Sequence, residues 1–223
     1  AMPVLYPASV AELLEFGLFG FALSRYAGVW VGLKTVADTV ESTATVELPA
    51  ERTFAAPAAC ALPPGGVHAV WPDDRWSQDE RLHRYRLPAA VAFARANGID
   101  RALRRGKEAR LGIVAAGKSH LDVREALRLL GIDERAAGEL GIALYKPGLV
   151  WPLEPQGLRA FADGVVELLV IEERQPVIES EAKRLAYNWP ADRRPRIVGK
   201  HDERGAPLVP ATGELAPLAV ARV

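Results

Sequence analysis

Cysteine is almost absent from this chain, and the absence excludes a good deal. Cys60 stands alone, so no disulfide can close within the chain and no set of thiolates can hold an iron–sulfur cluster. Net charge is absent too: 28 lysines and arginines balance 28 aspartates and glutamates. Such a chain lacks the field that draws proteins to nucleic acid or to anionic lipid, so neither is an expected partner. No uninterrupted apolar run approaches the ~20 residues that span a bilayer. No signal-peptide pattern opens the chain, and a reducing, cytoplasmic setting is the expectation. The four histidines, His68, His83, His120 and His201, share no metal-ligand spacing. No Gly-x-Ser-x-Gly elbow and no Cys–His constellation is present. The sequence therefore offers no catalytic residue and no metal ligand.

What is there is apolar patterning. About half of the 223 residues are apolar, enough for one large or two small domains. The segment 164–189, GVVELLVIEERQPVIESEAKRLAYNW, shows the grammar best. A near-continuous apolar run up to Ile171 reads as a strand buried on both faces. Glu172-Glu173 closes it, and Pro176 sits where a first helical residue belongs. Val177, Ile178, Ala182, Leu185 and Ala186 then recur on one side of a helix. Asn188-Trp189-Pro190 stops that helix.

The same alternation runs through residues 109–200. It predicts strands at 111–116, 142–146 and 167–171, with an edge strand at 196–198. Helices are expected to begin under a Ser119/Asp122 capping box and to end at Gly131, then at 133–140 and 155–163. Strands alternating with helices mean an α/β fold: an open, mostly parallel sheet with helices on both faces, Rossmann-like in its grammar. A partial helical segment precedes it. Ser9 and Glu12 form a capping box, and Val10, Leu13, Leu14, Gly17, Leu18, Phe21 and Ala22 make one stripe of the helix they start. A second helix at 30–41 and a strand at 43–48 are expected. Residues 49–74, rich in proline and glycine, read as a surface linker. Residues 77–97 read as a helix that Pro88 kinks or splits. The tail from His201 is expected to wrap as irregular chain over a neighbour.

Few motifs carry chemistry. Residues 112–119, GIVAAGKS, match the P-loop expression letter for letter. Their four intervening residues are the strand itself, which cannot curl around phosphate. What remains is Gly117, Lys118 and Ser119 at the junction of a strand end and a helix start, where anions are favoured. Lys118 either contacts such a group or is solvated. Glu172 and Glu173 end a neighbouring strand at the same edge. One of them faces a ligand crevice, or caps and pairs locally with Arg174 or Lys183. Lys146 at a third strand end reads as solvated, His120 lies beside the same loops, and Arg25 reads as pairing across a helix interface.

Four stretches carry a resemblance: residues 20–41 (GFALSRYAGVWVGLKTVADTVE), 110–122 (RLGIVAAGKSHLD), 139–155 (ELGIALYKPGLVWPLEP) and 170–200 (VIEERQPVIESEAKRLAYNWPADRRPRIVGK). In that order they resemble indolepyruvate:ferredoxin oxidoreductases of the wider 2-oxoacid:ferredoxin oxidoreductase family. The resemblance implies an internal fragment of a much longer enzyme that oxidatively decarboxylates arylpyruvates to acyl-CoA. It implies thiamine diphosphate, magnesium, iron–sulfur clusters and coenzyme A for the parent, with ferredoxin as electron acceptor. It implies that residues 1–48 end a pyrimidine-binding domain, that 49–108 connect, that 109–200 form a transketolase C-terminal-like domain and that 201–223 trail from it. Such a fragment is expected to be silent alone, to hold no cofactor, to pack against the rest of its parent chain and to be capable of pairing as a homodimer. Gly117, Lys118, Ser119 and Glu173 are its cofactor-binding candidates. A free-standing α/β interaction module and a P-loop nucleotide binder are the alternatives.

Overall fold

The computed structural model describes residues 1–47, 51–57, 62–63, 65–103 and 109–223. Cys60, the last residue of the strand expected at 43–48, and part of the linker lie outside them.

Strand β1, Val4–Leu5, leads into helix α1, Val10–Ala27. Ser9 accepts from the Glu12 amide, but the Glu12 carboxylate accepts from Ala8 rather than closing the box on Ser9. Gly28, at φ +66°, ends the helix in the left-handed conformation that its closing amide requires. The buried face of α1 is Phe16, Phe19, Gly20, Leu23 and Ala27, not the expected stripe. Leu14, Leu18 and Phe21 point outward. The helix is apolar on both sides, so periodicity alone could not choose between them. The helix expected at 30–41 shrinks to α2, Ala37–Val40, and Gly32–Leu33 forms strand β2 instead. Residues 43–47 form no strand.

Helix α3, Arg75–Arg81, is capped by Asp74 rather than starting at Ser77. One π-helical turn, Leu82–Arg86, joins it to α4, Leu87–Ala96. That wider turn is how the helix absorbs Pro88, which has no N–H and crowds the carbonyl four residues back.

The main sheet has the order β3-β5-β4-β7-β8. Its members are β3, Arg101–Leu103; β4, Leu111–Ala115; β5, Ile142–Lys146; β7, Glu167–Ile171; and β8, Arg196–Val198. All pairs are parallel except β3, an antiparallel edge absent from the sequence expectation. Helix α5, Gly117–Leu129, starts two residues before Ser119, with no side-chain cap; Gly131 follows its end as expected. Helix α6, Glu134–Leu140, is capped by Asp133 and closed by Gly141. Strand β6, Leu149–Trp151, leaves the main sheet and pairs antiparallel with β1, so the N-terminal segment is stitched to the compact unit. Helix α7, Pro155–Ala162, and α8, Val177–Ala186, follow; Val177 lies outward while Ile178, Ala182 and Ala186 are buried.

One face of the sheet is sealed by Leu158, Phe161, Ile178 and Ala182 together with Tyr6. The other is covered by Val123 from α5 and by Val209 and Leu215 from the tail. The tail, which ends in α9, Pro217–Val220, therefore closes its own domain's core rather than a neighbour's. A further core joins α1 to α4 through Phe16, Phe19, Leu23 and Phe93 and reaches Leu149 of β6.

Candidate functional site at the carboxyl edge of the sheet

Strand β4 continues to β5 on one side and β7 to β8 on the other, so the strand order reverses between β4 and β7. Ligand crevices of open α/β sheets lie at that reversal, outside the carboxyl ends. The structure brings Gly117, Lys118 and Ser119 there from β4, and Glu172 and Glu173 from β7. All five are thus neighbours, as their strand-end positions imply.

The crevice is filled by the chain itself. Gly117 has φ +53°, and a Cβ at that position would enter the Tyr6 ring, so both the backbone and the close approach require glycine. Lys118 is buried, not solvated. Its Nζ donates to the Leu215 carbonyl at 2.8 Å and to Asp122 Oδ2 at 3.1 Å. Glu214 and Glu173 lie at 3.5 and 3.7 Å. Glu173 accepts from the Leu215 amide at 2.9 Å, so both backbone groups of one tail residue are gripped. Burial opposes the charge on Lys118, but Asp122 and Glu173 outweigh it and hold the ammonium above its usual range. Asp122 serves this lysine instead of completing a capping box. Residues 111–115 form a paired, extended strand and Ala116 continues it, so the P-loop reading fails: no loop exists to cradle phosphate.

Glu172 resolves to local capping. Its carboxylate accepts from the amides of Val177, Ile178 and Glu179 at 3.0–3.1 Å, satisfying the open end of α8. Burial pushes it above the ordinary carboxylate range against those amides. Lys183 pairs with Glu179 instead, at 2.6 Å. The other Glu179 oxygen accepts from the Lys200 amide, and Lys200 Nζ donates to the carbonyls of Glu172 and Pro210.

A second polar cluster, missed in the sequence, ties α1 to the end of β5. Lys146 is 5% exposed and forms a buried ion pair with Glu12. Burial works against the Glu12 charge, but Lys146 and the Ala8 amide prevail and keep its carboxyl below the usual range. His120 is buried beside them, pushed down to about 4 by burial and by Lys146 and Arg124, and so is neutral near pH 7. Asp100, also missed, accepts from the Tyr145 hydroxyl and the Gly148 amide, each at 2.8 Å, and fixes the turn after β5. Burial pushes it up to about 6. The available signal for Glu12 was a charge falling on the same helical face as Phe16 and Phe19. Asp100 gave none.

Among the described residues, no three His, Cys, Asp or Glu side chains gather as a metal site, and no helix is long and apolar enough to cross a membrane.

A family model described as the indolepyruvate oxidoreductase domain matches residues 101–223. The chain belongs to this family. It is similar to indolepyruvate oxidoreductase subunit IorA of Pyrococcus abyssi, 27% identical over 200 residues, covering 84% of this chain and 28% of that protein. The subunit from Methanothermobacter thermautotrophicus is 26% identical over 194 residues, with 83% and 28% covered. The Thermococcus kodakarensis subunit reaches 37% identity over 84 residues, with 37% and 12% covered. The chain thus spans at most 28% of the length of these relatives. Solved structures share the fold. A 2-oxoglutarate:ferredoxin oxidoreductase from Magnetococcus marinus, with 2-oxoglutarate, coenzyme A and succinyl-CoA bound, superposes with TM-score 0.57 at 16% identity, over 99% of this chain and 41% of that one. A split-gene transketolase, as an inactive beta4 tetramer, gives 0.53 at 15%, over 99% and 55%. The family's transketolase-like α/β architecture is therefore present here.

Proposed function

We propose that this chain is a structural and interface segment of an enzyme that oxidatively decarboxylates arylpyruvates such as indolepyruvate, forms an acyl-CoA and passes electrons to ferredoxin. One observation carries the silent role. At the crevice where the fold would place a ligand, Lys118, Glu172, Glu173 and Lys200 are each engaged by the chain's own backbone and side chains. Among the described residues, these four charged groups are taken up by the chain itself rather than turned toward a substrate. On this reading Lys118 and Glu173 hold the tail, Gly117 packs against Tyr6, Ser119 is buried, and none of the four holds a cofactor. Residues 1–48 are the end of a pyrimidine-binding domain, 49–108 a connector, 109–200 the transketolase C-terminal-like domain and 201–223 a strap on its own sheet.

The family's cofactors do not fit the donors present. A single cysteine cannot hold an iron–sulfur cluster, and no three His, Cys, Asp or Glu side chains gather to hold a magnesium ion among the described residues. Those groups, and the chemistry they supply, belong to other parts of a cytoplasmic parent. Ferredoxin and any second copy of the parent are partners of the whole assembly.

The test uses the full-length parent, anaerobically, with thiamine diphosphate, coenzyme A and a viologen dye. Dye reduction with indolepyruvate or phenylpyruvate is expected, and none with the 223-residue chain alone. Oxoacid turnover by this chain alone would overturn the silent role. A cofactor-loaded parent inert to every oxoacid would overturn the activity.

A further inference from the structure

The end of the tail is held at one point. Of residues 211–223, only Leu215 is buried. Gly213, at φ +77°, turns the chain just before it. Among the described residues, the backbone of this stretch bonds to the rest of the molecule only at Leu215, whose amide donates to Glu173 and whose carbonyl accepts from Lys118. Beyond it α9 lies over the sheet without filling the space beneath. A cleft of about 390 Å³ remains there, between Ile113, Leu169 and Val198 of the sheet and Val220 of the helix. A four-residue helix behind a single buried anchor belongs to the low end of local stability.

The anchor is shared with the other end of the chain. Gly117 leaves the space that the Tyr6 ring fills, and Lys34 Nζ lies 4.3 Å from the centre of that ring. Burial and Glu173 push the Tyr6 hydroxyl up, and the amide and ammonium of Lys118 oppose them. Asp38 of α2 adds to the field that holds the Lys118 charge. Yet Tyr6 and Leu215 share no core: they belong to opposite faces of the sheet. The two segments meet at residues 117–118, on the sheet's edge.

We propose that Lys118 couples the two ends of the chain, so that the strap from Leu215 onward closes over the sheet only while Tyr6 is seated against Gly117. Tyr6 fixes the first turn of α5, and that turn aims the Lys118 ammonium at the Leu215 carbonyl. Once Tyr6 leaves, Gly117 regains its backbone freedom. The ammonium then turns to Asp122 and Glu173, which already lie at 3.1 and 3.7 Å, and Leu215 loses one of its two holds. The strap opens by local unfolding, and the crevice and the apolar face beneath it meet solvent. The coupling is reciprocal: an open strap frees Lys118 and loosens Tyr6. The inference rests on these contacts and not on the proposed enzymatic activity.

The test is hydrogen exchange of the 223-residue chain at pH 7, read by NMR at single amides, with circular dichroism to show that each variant is folded. Tyr6→Ala should speed exchange of the amides in 215–223 by about five- to fiftyfold, the ordinary range of coupling between sites. Those amides exchange through local opening, so a loss of global stability does not reproduce the effect. Leu215→Ala alters only the strap. It should speed exchange of the Tyr6 amide, which donates to the Gly148 carbonyl at 3.0 Å, by about fivefold or more relative to the amides of β5. This second arm stands even where Tyr6→Ala does not fold. In the double variant the strap is already open, so the factor due to Tyr6→Ala should vanish. The proposal is overturned if Tyr6→Ala leaves strap exchange unchanged, if the Tyr6 amide in Leu215→Ala only keeps step with β5, or if the two factors multiply in the double variant.

Discussion

Replacing Glu12 with glutamine should be among the most damaging isosteric changes in this chain. Glu12 is 9% exposed and Lys146 5% exposed, and their ion pair is the polar link between α1 and the carboxyl end of β5. Glutamine keeps the shape and removes the charge, leaving a buried ammonium beside Arg101, of the same sign, with only the smaller influence of Glu15 to oppose it. Stranding a buried charge costs about 3–5 kcal/mol. That is a third or more of the stability of an ordinary domain, and about 10 °C in Tm at this size. Urea unfolding followed by circular dichroism at pH 7 measures it. The double variant Glu12→Gln/Lys146→Met, which removes both charges, should recover most of the loss. Burial draws the Lys146 ammonium toward neutrality and Glu12 is the main group opposing that. Lys146 already lies below its ordinary value, and in Glu12→Gln its folded-state pKa drops further below the unfolded one. The unfolded chain then binds the proton more tightly, so the deficit should shrink as pH rises toward 10. A loss under about 1 kcal/mol, or a double variant no better than the single one, would refute the reasoning.

Asp100 and His120 should give opposite pH slopes in overlapping windows. Asp100 is raised from 3.8 to about 6, so its contribution is full below the lower value and is lost as pH rises through the upper one. His120 is lowered from 6.5 to about 4, so stability should fall as pH drops across that interval. Urea midpoints from pH 4 to 8 for Asp100→Asn and His120→Asn, each against the parent chain, separate the two on the order of 2–3 kcal/mol apiece; a flat difference for either variant would refute its assignment. Gly117→Ala should cost more than about 1 kcal/mol by thermal melting, because the left-handed backbone and the Tyr6 ring both reject a methyl group. Lys118→Met should loosen the tail at Leu215, read as faster chymotryptic cleavage within residues 210–223 and unchanged cleavage elsewhere.

Strands β4, β5, β7 and β8 were legible in the sequence to within a residue. β4, β5 and β7 are short apolar runs bounded by turn residues, so their period and their punctuation agree, and β8 is the short edge strand that follows the last helix. Helices α6 and α7 were legible through Asp133, Gly141 and Pro155, which mark ends by local geometry alone. That Gly117, Lys118, Ser119, Glu172 and Glu173 meet followed from the alternation, since every strand of a parallel sheet ends at one edge.

Tertiary structure decided the rest. Which side of α1 is buried depended on β1 and α4, because Leu14, Leu18 and Phe21 are as apolar as the residues that won. The state of Lys118 and Lys146 depended on partners far along the chain, Leu215 and Glu12, which no local pattern joins. A lysine at a strand end reads the same whether water or a carboxylate meets it. Local periodicity and caps are written within a few residues of each other, so the sequence by itself determined the α/β grammar and the common edge. Neutralisation of a charge and choice of a buried face are settled by whatever distant segment arrives, so only the folded chain decided that the crevice is closed.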